Sequence, residues 1–375
     1  MLERGSVRRM TTIPPTLQAV IESSTFVHRS LDALSKKEGE SLEALYETRL
    51  SQDWSRAALE ERIRAWETPE SLSLGLRLLR RDLILAIVGE NSTGRISYET
   101  VVERMSDFAE LAVSQTVKKL AERYGVPCGV SGDPQDLLVV GMGKLGGREL
   151  NVSSDIDLIF IFDENGETKA TAEYPNVSKT FTVQEFYERL ARRIIPALND
   201  IEGAGFVFRV DMRLRPNGDS GPIVCSSSML EEYLYSQGQE WERFAWLKGR
   251  VVNTPVFASE EVFARQCKQL RTLVRPFVFR KYLDFGALEA LRELHEKIRA
   301  ETARRELLRG SIGVNVKLGR GGIREIEFIT QTMQIIRGGR DPQLQGRSTL
   351  AMLSALGEEN FLDPAIAHQC QLDYI

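Results

Sequence analysis

The chain has 375 residues, 42% of them hydrophobic and 27% charged, and a formal net charge of −4. That length suits two or three packed units, and the acidic balance argues against general nucleic-acid binding. No apolar run approaches the roughly 20 residues that cross a bilayer, and no hydrophobic core follows Met1-Leu2-Glu3-Arg4 to make a secretory signal.

Residues 1–134 read as helical. Leu72, Leu74, Leu76, Leu78, Leu79, Leu83, Leu85 and Ile87 make an apolar-rich helix, with Arg77, Arg80 and Arg81 as its solvated face. Ser97 is placed to cap a long helix from Tyr98 to about Arg123. Gly125-Val126-Pro127 ends that helix, and Ser131-Gly132-Asp133-Pro134 reads as a linker.

Residues 135–257 mix strands with helices and carry the chemistry. Leu137–Val140 is a buried strand running into Gly141-Met142-Gly143-Lys144-Leu145-Gly146-Gly147. Glycines there let a backbone approach phosphate, and a following helix offers its N-terminal amides. The spacing is not that of a Walker A loop. Asp155 and Asp157 then open a strand ending Leu158-Ile159-Phe160-Ile161-Phe162. Alternate strand residues share a face, which sets the two carboxylates about 7 Å apart at the backbone. Such a pair can hold divalent ions about 3.5–4 Å apart for attack at phosphorus. Mg²⁺ suits it, with Mn²⁺ as the other candidate; the competing reading is the polar start of an ordinary strand.

The helix near 183–198 covers one sheet face with Phe186, Leu190, Ile194 and Ile195. Residues 206–215 alternate: Phe206, Phe208, Val210, Met212 and Leu214 against Arg209, Asp211, Arg213 and Arg215. This predicts a strand beside the first, bringing a third carboxylate and cations for polyphosphate. It is equally a half-buried strand whose outer charges pair with one another.

Residues 258–375 return to helices. Two basic-aromatic patches, 240–250 and 275–281, are either core aromatics or places where an adenine ring stacks while Arg243, Lys248, Arg250, Arg275 or Arg280 meets phosphate. Lys317-Leu318-Gly319-Arg320-Gly321-Gly322 precedes a helix with a core stripe of Ile326, Ile329, Met333 and Ile336, which makes an anion site for orthophosphate. Glu325 and Glu327 lie off that stripe, as metal ligands or as acids at the positive helix end. Cys128, Cys225, Cys267 and Cys370 form no CxxC pair and stand beside only three histidines. A zinc site is not expected, and the thiols read as buried groups of a reducing cytoplasm.

The Gly-rich turn, the Asp-x-Asp strand and the later Asp resemble the polymerase-β-type nucleotidyltransferase superfamily. The blocks 141–160, 210–216, 220–222, 275–280 and 321–328 resemble, more narrowly, the glutamine synthetase adenylyltransferase family. The resemblance implies an α+β fold: a nucleotidyltransferase core with a mixed sheet, flanked by N-terminal and C-terminal helical regions. It implies that Asp155, Asp157 and Asp211 hold Mg²⁺ and form the catalytic centre. Nucleotide and phosphate would be met by Gly143, Lys144, Gly146, Gly147, Ser154, Arg213, Arg215, Lys317 and Arg324.

Gly-Met-Gly-Lys and Val-Asp-Met-Arg-Leu-Arg-Pro are similar to the family's N-terminal unit, which removes AMP from a tyrosine of glutamine synthetase by phosphorolysis. The expectation is an N-terminal fragment of a longer protein, using orthophosphate and releasing ADP, with a PII-type nitrogen signal protein as regulator. The reverse reaction remains open, with AMP transferred from ATP and Asp211 as base, as does a regulatory module that binds glutamine synthetase or the PII-type protein. A small-molecule nucleotidyltransferase would lack the 275–280 and 321–328 blocks.

Overall fold

Hydroxyl side chains start the N-terminal helices. Thr16, Ser24, Ser41, Ser55, Thr68 and Ser97 each accept a backbone N–H in the first turn of the helix that follows. These helices are α1 (Leu17–Ser23), α2 (Thr25–Glu38), α3 (Leu42–Leu50), α4 (Arg56–Arg64), α5 (Pro69–Ser92) and α6 (Tyr98–Leu120). The computed structural model describes residues 16–121, 125–172, 179–280 and 321–375, with 292, 293, 296, 300, 304, 316, 317 and 319 between the last two. Among them no helix is long and apolar enough to cross a membrane.

The sheet is mixed, with order β5-β3-β2-β7. Its strands are β2 (Leu138–Gly141), β3 (Ile156–Phe162), β5 (Val210–Asp211) and β7 (Arg250–Val251), and β6 (Val224–Ser226) lies farther along β3. Strands β2 and β7 run antiparallel to their neighbours, whereas β5 and β6 run parallel to β3. Alternation along β2 and β3 builds a core on each face. Val139, Leu158, Phe160 and Phe162 pack with Phe186, Leu190 and Ile194 of α8 (Val183–Asn199) and with α5 and α6. Leu138, Val140, Ile159 and Ile161 pack against α9 (Ser227–Ser236), α10 (Glu240–Leu247) and α11 (Glu260–Val278). The chain closes with α12 (Ile323–Arg337), α13 (Thr349–Glu358) and α14 (Pro364–Tyr374).

Four sequence expectations change. First, Val126–Gly129 is a strand, β1, paired antiparallel with β4 (Gly166–Lys169), where a helix end was expected. Second, the alternating 206–215 stretch is a strand only at Val210–Asp211. Val207 N–H and Phe208 N–H both reach Leu198 O, and the Asp211 carboxylate takes Arg213 N–H at 2.9 Å, which turns the chain out of the sheet. Third, α12 buries Ile326, Thr330, Gln334 and Ile335, while Ile329 is exposed.

Fourth, Arg77 is not solvated but 1% exposed. Its guanidinium donates to Gly205 O at 2.8 Å and Asp200 O at 2.9 Å, and so docks α5 on the loop after α8. Arg80 lies half-buried over the Phe206 ring at 4.6 Å. Arg77→Met is therefore expected to cost about 2–4 kcal/mol, because two part-buried carbonyls lose a charged donor. Urea denaturation measures it; a loss under about 0.5 kcal/mol would mean water satisfies that loop.

Candidate active site

The Gly-rich turn becomes a one-turn helix, α7 (Gly143–Gly146), directly between β2 and the approach to β3. Gly143 has φ +51°, and a Cβ there would stand 3.3 Å from an Asp157 carboxylate oxygen. A glycine thus lets the turn press against the carboxylate. Met142 N–H holds Asp157 O at 2.9 Å, fixing the turn to the strand. Gly146 serves packing instead: a Cβ would strike Lys248 O at 2.0 Å. Gly146 and Gly147 are both buried and are not brought to the open depression described next.

Asp155, Arg209, Val210, Asp211, Met212 and Arg213 line an open depression of about 300 Å³. Asp157 and Asp211 are direct register partners on the parallel pair β3–β5. Asp155 precedes β3, stands exposed and pairs with Arg209. Asp211 is gripped by Arg213, whose Nε lies 2.9 and 3.0 Å from its two oxygens. That grip lowers the Asp211 carboxyl below its ordinary value. Asp157 is raised to about 6, first by burial, then by the neighbouring Asp211 and Asp155 charges, with Arg213 and Lys317 pulling the other way.

The donor set fits a hard divalent cation, since three carboxylates stand at neighbouring strand ends and the central one is strained by like charge. Among the described residues no three acidic, His or Cys side chains already converge as a metal cluster. Arg209 and Arg213 occupy two of the three carboxylates.

The other expected residues are placed as follows. Lys144 sits half-buried within the turn, lowered first by burial and also by the Lys317 and Lys248 charges, against the raising influence of Glu327 and Glu149. Ser154 Oγ donates to Asn151 Oδ1 at 2.9 Å and shapes the loop before Asp155. Arg215 acts on Asp211 by charge, but its side chain turns inward to Met212 O at 2.8 Å and Asp219 at 3.5 Å. Lys317 is exposed and close enough to influence Asp157. Arg324 is exposed at the start of α12, its N–H on Lys317 O at 3.1 Å. Glu325 accepts Gly321 N–H at 2.8 Å, which ties it to the helix start.

Glu327 belongs to a network that sequence reasoning missed. Buried Lys248 donates to Glu149 at 2.6 Å and to Thr349 Oγ1 at 2.9 Å, and it lies 3.6 Å from Glu327. Tyr374 donates to Glu327 at 3.0 Å. The patch 240–250 is accordingly internal for the most part. Arg243 is buried over the Phe277 ring, Lys248 serves Glu149, and Arg250 reaches Glu110 at 2.6 Å. Arg209 was visible only as one charge in an alternating run, and nothing in sequence marked its pairing with Asp155. Residues 281–291, which hold the end of the second patch, lie outside the described residues.

Comparison with known proteins extends this geometry. Residues 15–262 match the family described as glutamate-ammonia ligase adenylyltransferase, and residues 292–375 match the one described as GlnD PII-uridylyltransferase. The chain is 49% identical over 310 residues to a bifunctional glutamine synthetase adenylyltransferase/adenylyl-removing enzyme of Burkholderia mallei, covering 80% of this chain and 33% of that protein. A relative of the same name in Aromatoleum aromaticum is 45% identical over 363 residues, 94% of this chain and 35% of its own. The chain thus spans about a third of the length of these curated relatives. With the matched segment covering the sheet, the turn and all three aspartates, the chain belongs to the glutamate-ammonia ligase adenylyltransferase family.

Proposed function

We propose that this chain removes AMP from an adenylylated tyrosine of glutamine synthetase by phosphorolysis. The observation carrying the reading is the Asp157–Asp211 pairing on parallel strands, with Gly143 against Asp157. The direction is supported by the likeness of Gly141–Lys144 and Val210–Pro216 to the family's AMP-removing unit.

An orthophosphate oxygen attacks the phosphorus of the tyrosyl phosphodiester. The bond to the tyrosine oxygen breaks, and ADP and a free tyrosine are formed. The difficulty is an anion attacking an anion, so catalysis is alignment and neutralisation. Asp155, Asp157 and Asp211 would hold Mg²⁺ or Mn²⁺, which would supply Lewis-acid stabilisation of the phosphoryl oxygens. Arg213, three-quarters exposed at its side chain, can leave Asp211 and meet phosphate oxygens bidentately. Lys317, whose charge reaches Asp157, would bring a cation for the attacking phosphate, with Arg324 next to it through its N–H on Lys317 O. The tyrosine oxygen, with an ordinary pKa of about 10, leaves readily once neutralised.

The match of residues 292–375 to the PII-uridylyltransferase family supports a PII-type signal protein as a regulatory partner. Incubation with adenylylated glutamine synthetase, Mg²⁺ and orthophosphate tests the activity. Phosphate-dependent ADP release is expected, falling at least about 1,000-fold in Asp155→Asn. Stability should change by no more than about 0.5 kcal/mol, because Asp155 and Arg209 form an exposed pair. Full activity in the variant would remove Asp155 from the site.

A further inference from the structure

The second basic-aromatic patch contributes to a cavity that the proposed reaction does not use. It has a volume of about 320 Å³, at the small end of ligand pockets. It lies on the sheet face covered by α10 and α11 and shares no lining residue with the Asp155–Arg213 depression. Trp246, Leu270, Val274, Val278 and Phe279 give it an apolar floor.

Its rim is cationic. Arg250, Arg271, Arg275 and Arg347 line it, and no Asp or Glu does. Arg250 is neutralised from outside by Glu110 at 2.6 Å. Arg347 donates to Gly249 O at 2.9 Å and has no carboxylate partner among the described residues. Arg271 and Arg275, one turn apart on exposed positions of α11, likewise have no ion-pair partner among the described residues. Burial first, then the Arg271 and Arg250 charges, lower the Arg347 guanidinium below its ordinary value. Like charges held together around an apolar floor, without an internal anion, are arranged for a ligand that supplies both parts.

We propose that this cavity binds a small organic phosphate with a flat apolar body, of mononucleotide size, at a site separate from the three aspartates. The body lies on the Trp246–Leu270–Val274 floor. The phosphates meet Arg271, Arg275 and Arg347, whose planar donors suit bidentate contact. Because β7 carries Arg250 and Val251 and pairs with β2, the strand leading into the Gly-rich turn, occupancy would be mechanically joined to the catalytic side of the sheet.

ADP is the probe, titrated calorimetrically into the full chain in EDTA, so that binding through a divalent cation is absent. Saturable binding at one site is expected. Arg271→Ala and Arg275→Ala should each weaken it about tenfold, and both positions are exposed enough for the variants to fold. Arg213→Ala, which removes the phosphate-facing cation of the catalytic depression, should bind ADP as the parent does. Orthophosphate, which lacks the body, should bind at least tenfold more weakly than ADP. No ADP binding in EDTA, binding indifferent to both Arg271→Ala and Arg275→Ala, or binding lost in Arg213→Ala would each overturn the proposal. Equal affinity for orthophosphate would overturn the organic ligand class.

Discussion

Asp157→Asn is expected to abolish turnover while making the folded chain more stable at pH 8. Asp157 is the central acid, flanked by Asp155 in sequence and by Asp211 across the β3–β5 pair. Its carboxyl is raised from 3.8 to about 6, chiefly by burial. A raised acid favours the folded state when protonated. That contribution is complete below the unfolded value of 3.8 and is lost as pH rises through about 6. At pH 8 the ionised side chain then costs at most about 3 kcal/mol, and a neutral amide of the same shape escapes the cost. Urea midpoints of parent and variant should therefore differ most at pH 8, less as pH falls through about 6, and converge only as pH approaches 3.8. Added Mg²⁺ should stabilise the parent at pH 8 and leave the variant behind, because only the parent retains the full carboxylate set. A stability difference independent of pH would mean that Asp157 is solvated and ordinary. A raised acid beside two others is the kind of strain that function retains at the expense of stability.

Lys248→Met is expected to destabilise the chain by about 3–5 kcal/mol, the largest loss among the single changes considered. Lys248 is 3% exposed and Glu149 is 4% exposed. The substitution would leave the Glu149 carboxylate buried without its cation, although Thr349 N–H and Oγ1 still donate to it. Glu149 follows the Gly-rich turn, Lys248 follows α10, Thr349 begins α13, and Tyr374 ends α14. One ion pair thus ties four parts of the chain together. The double variant Lys248→Met/Glu149→Leu should cost less than the two single changes added, because neither leaves the other's charge stranded. Denaturant unfolding measures all three; a Lys248→Met loss below about 1 kcal/mol would contradict the buried pair.

The elements that sequence revealed are those where local pattern and tertiary environment agree. The Leu158–Phe162 run could only be a buried strand, and its two flanking acids followed from period-two geometry. Ser97 begins its helix because its hydroxyl satisfies an otherwise orphaned N–H of the first turn. Asp211 was legible as a third acid, but the strand around it was read too long. Alternation cannot register that its own carboxylate would capture Arg213 N–H and turn the chain. Arg77 was misread for a related reason: its partners, Gly205 O and Asp200 O, lie more than 120 residues away, where helical periodicity carries no information. A separation of 99 residues likewise hid the pairing of Lys248 with Glu149, both of which are core in the fold. The open cations around Trp246 were visible as a basic-aromatic patch. Only the packing of α10 and α11 separated the neutralised Lys248 from Arg271 and Arg275, which have no ion-pair partner among the described residues.

The proposed reaction makes orthophosphate the nucleophile at the AMP phosphorus, and isotope tracing addresses that step. Adenylylated glutamine synthetase, Mg²⁺ and ³²P-orthophosphate are incubated with the chain, and the nucleotide products are separated. Label in the β-phosphate of ADP, absent with Asp155→Asn, is the predicted result. Unlabelled AMP as the product, or modification of the synthetase only when ATP is supplied, would contradict it.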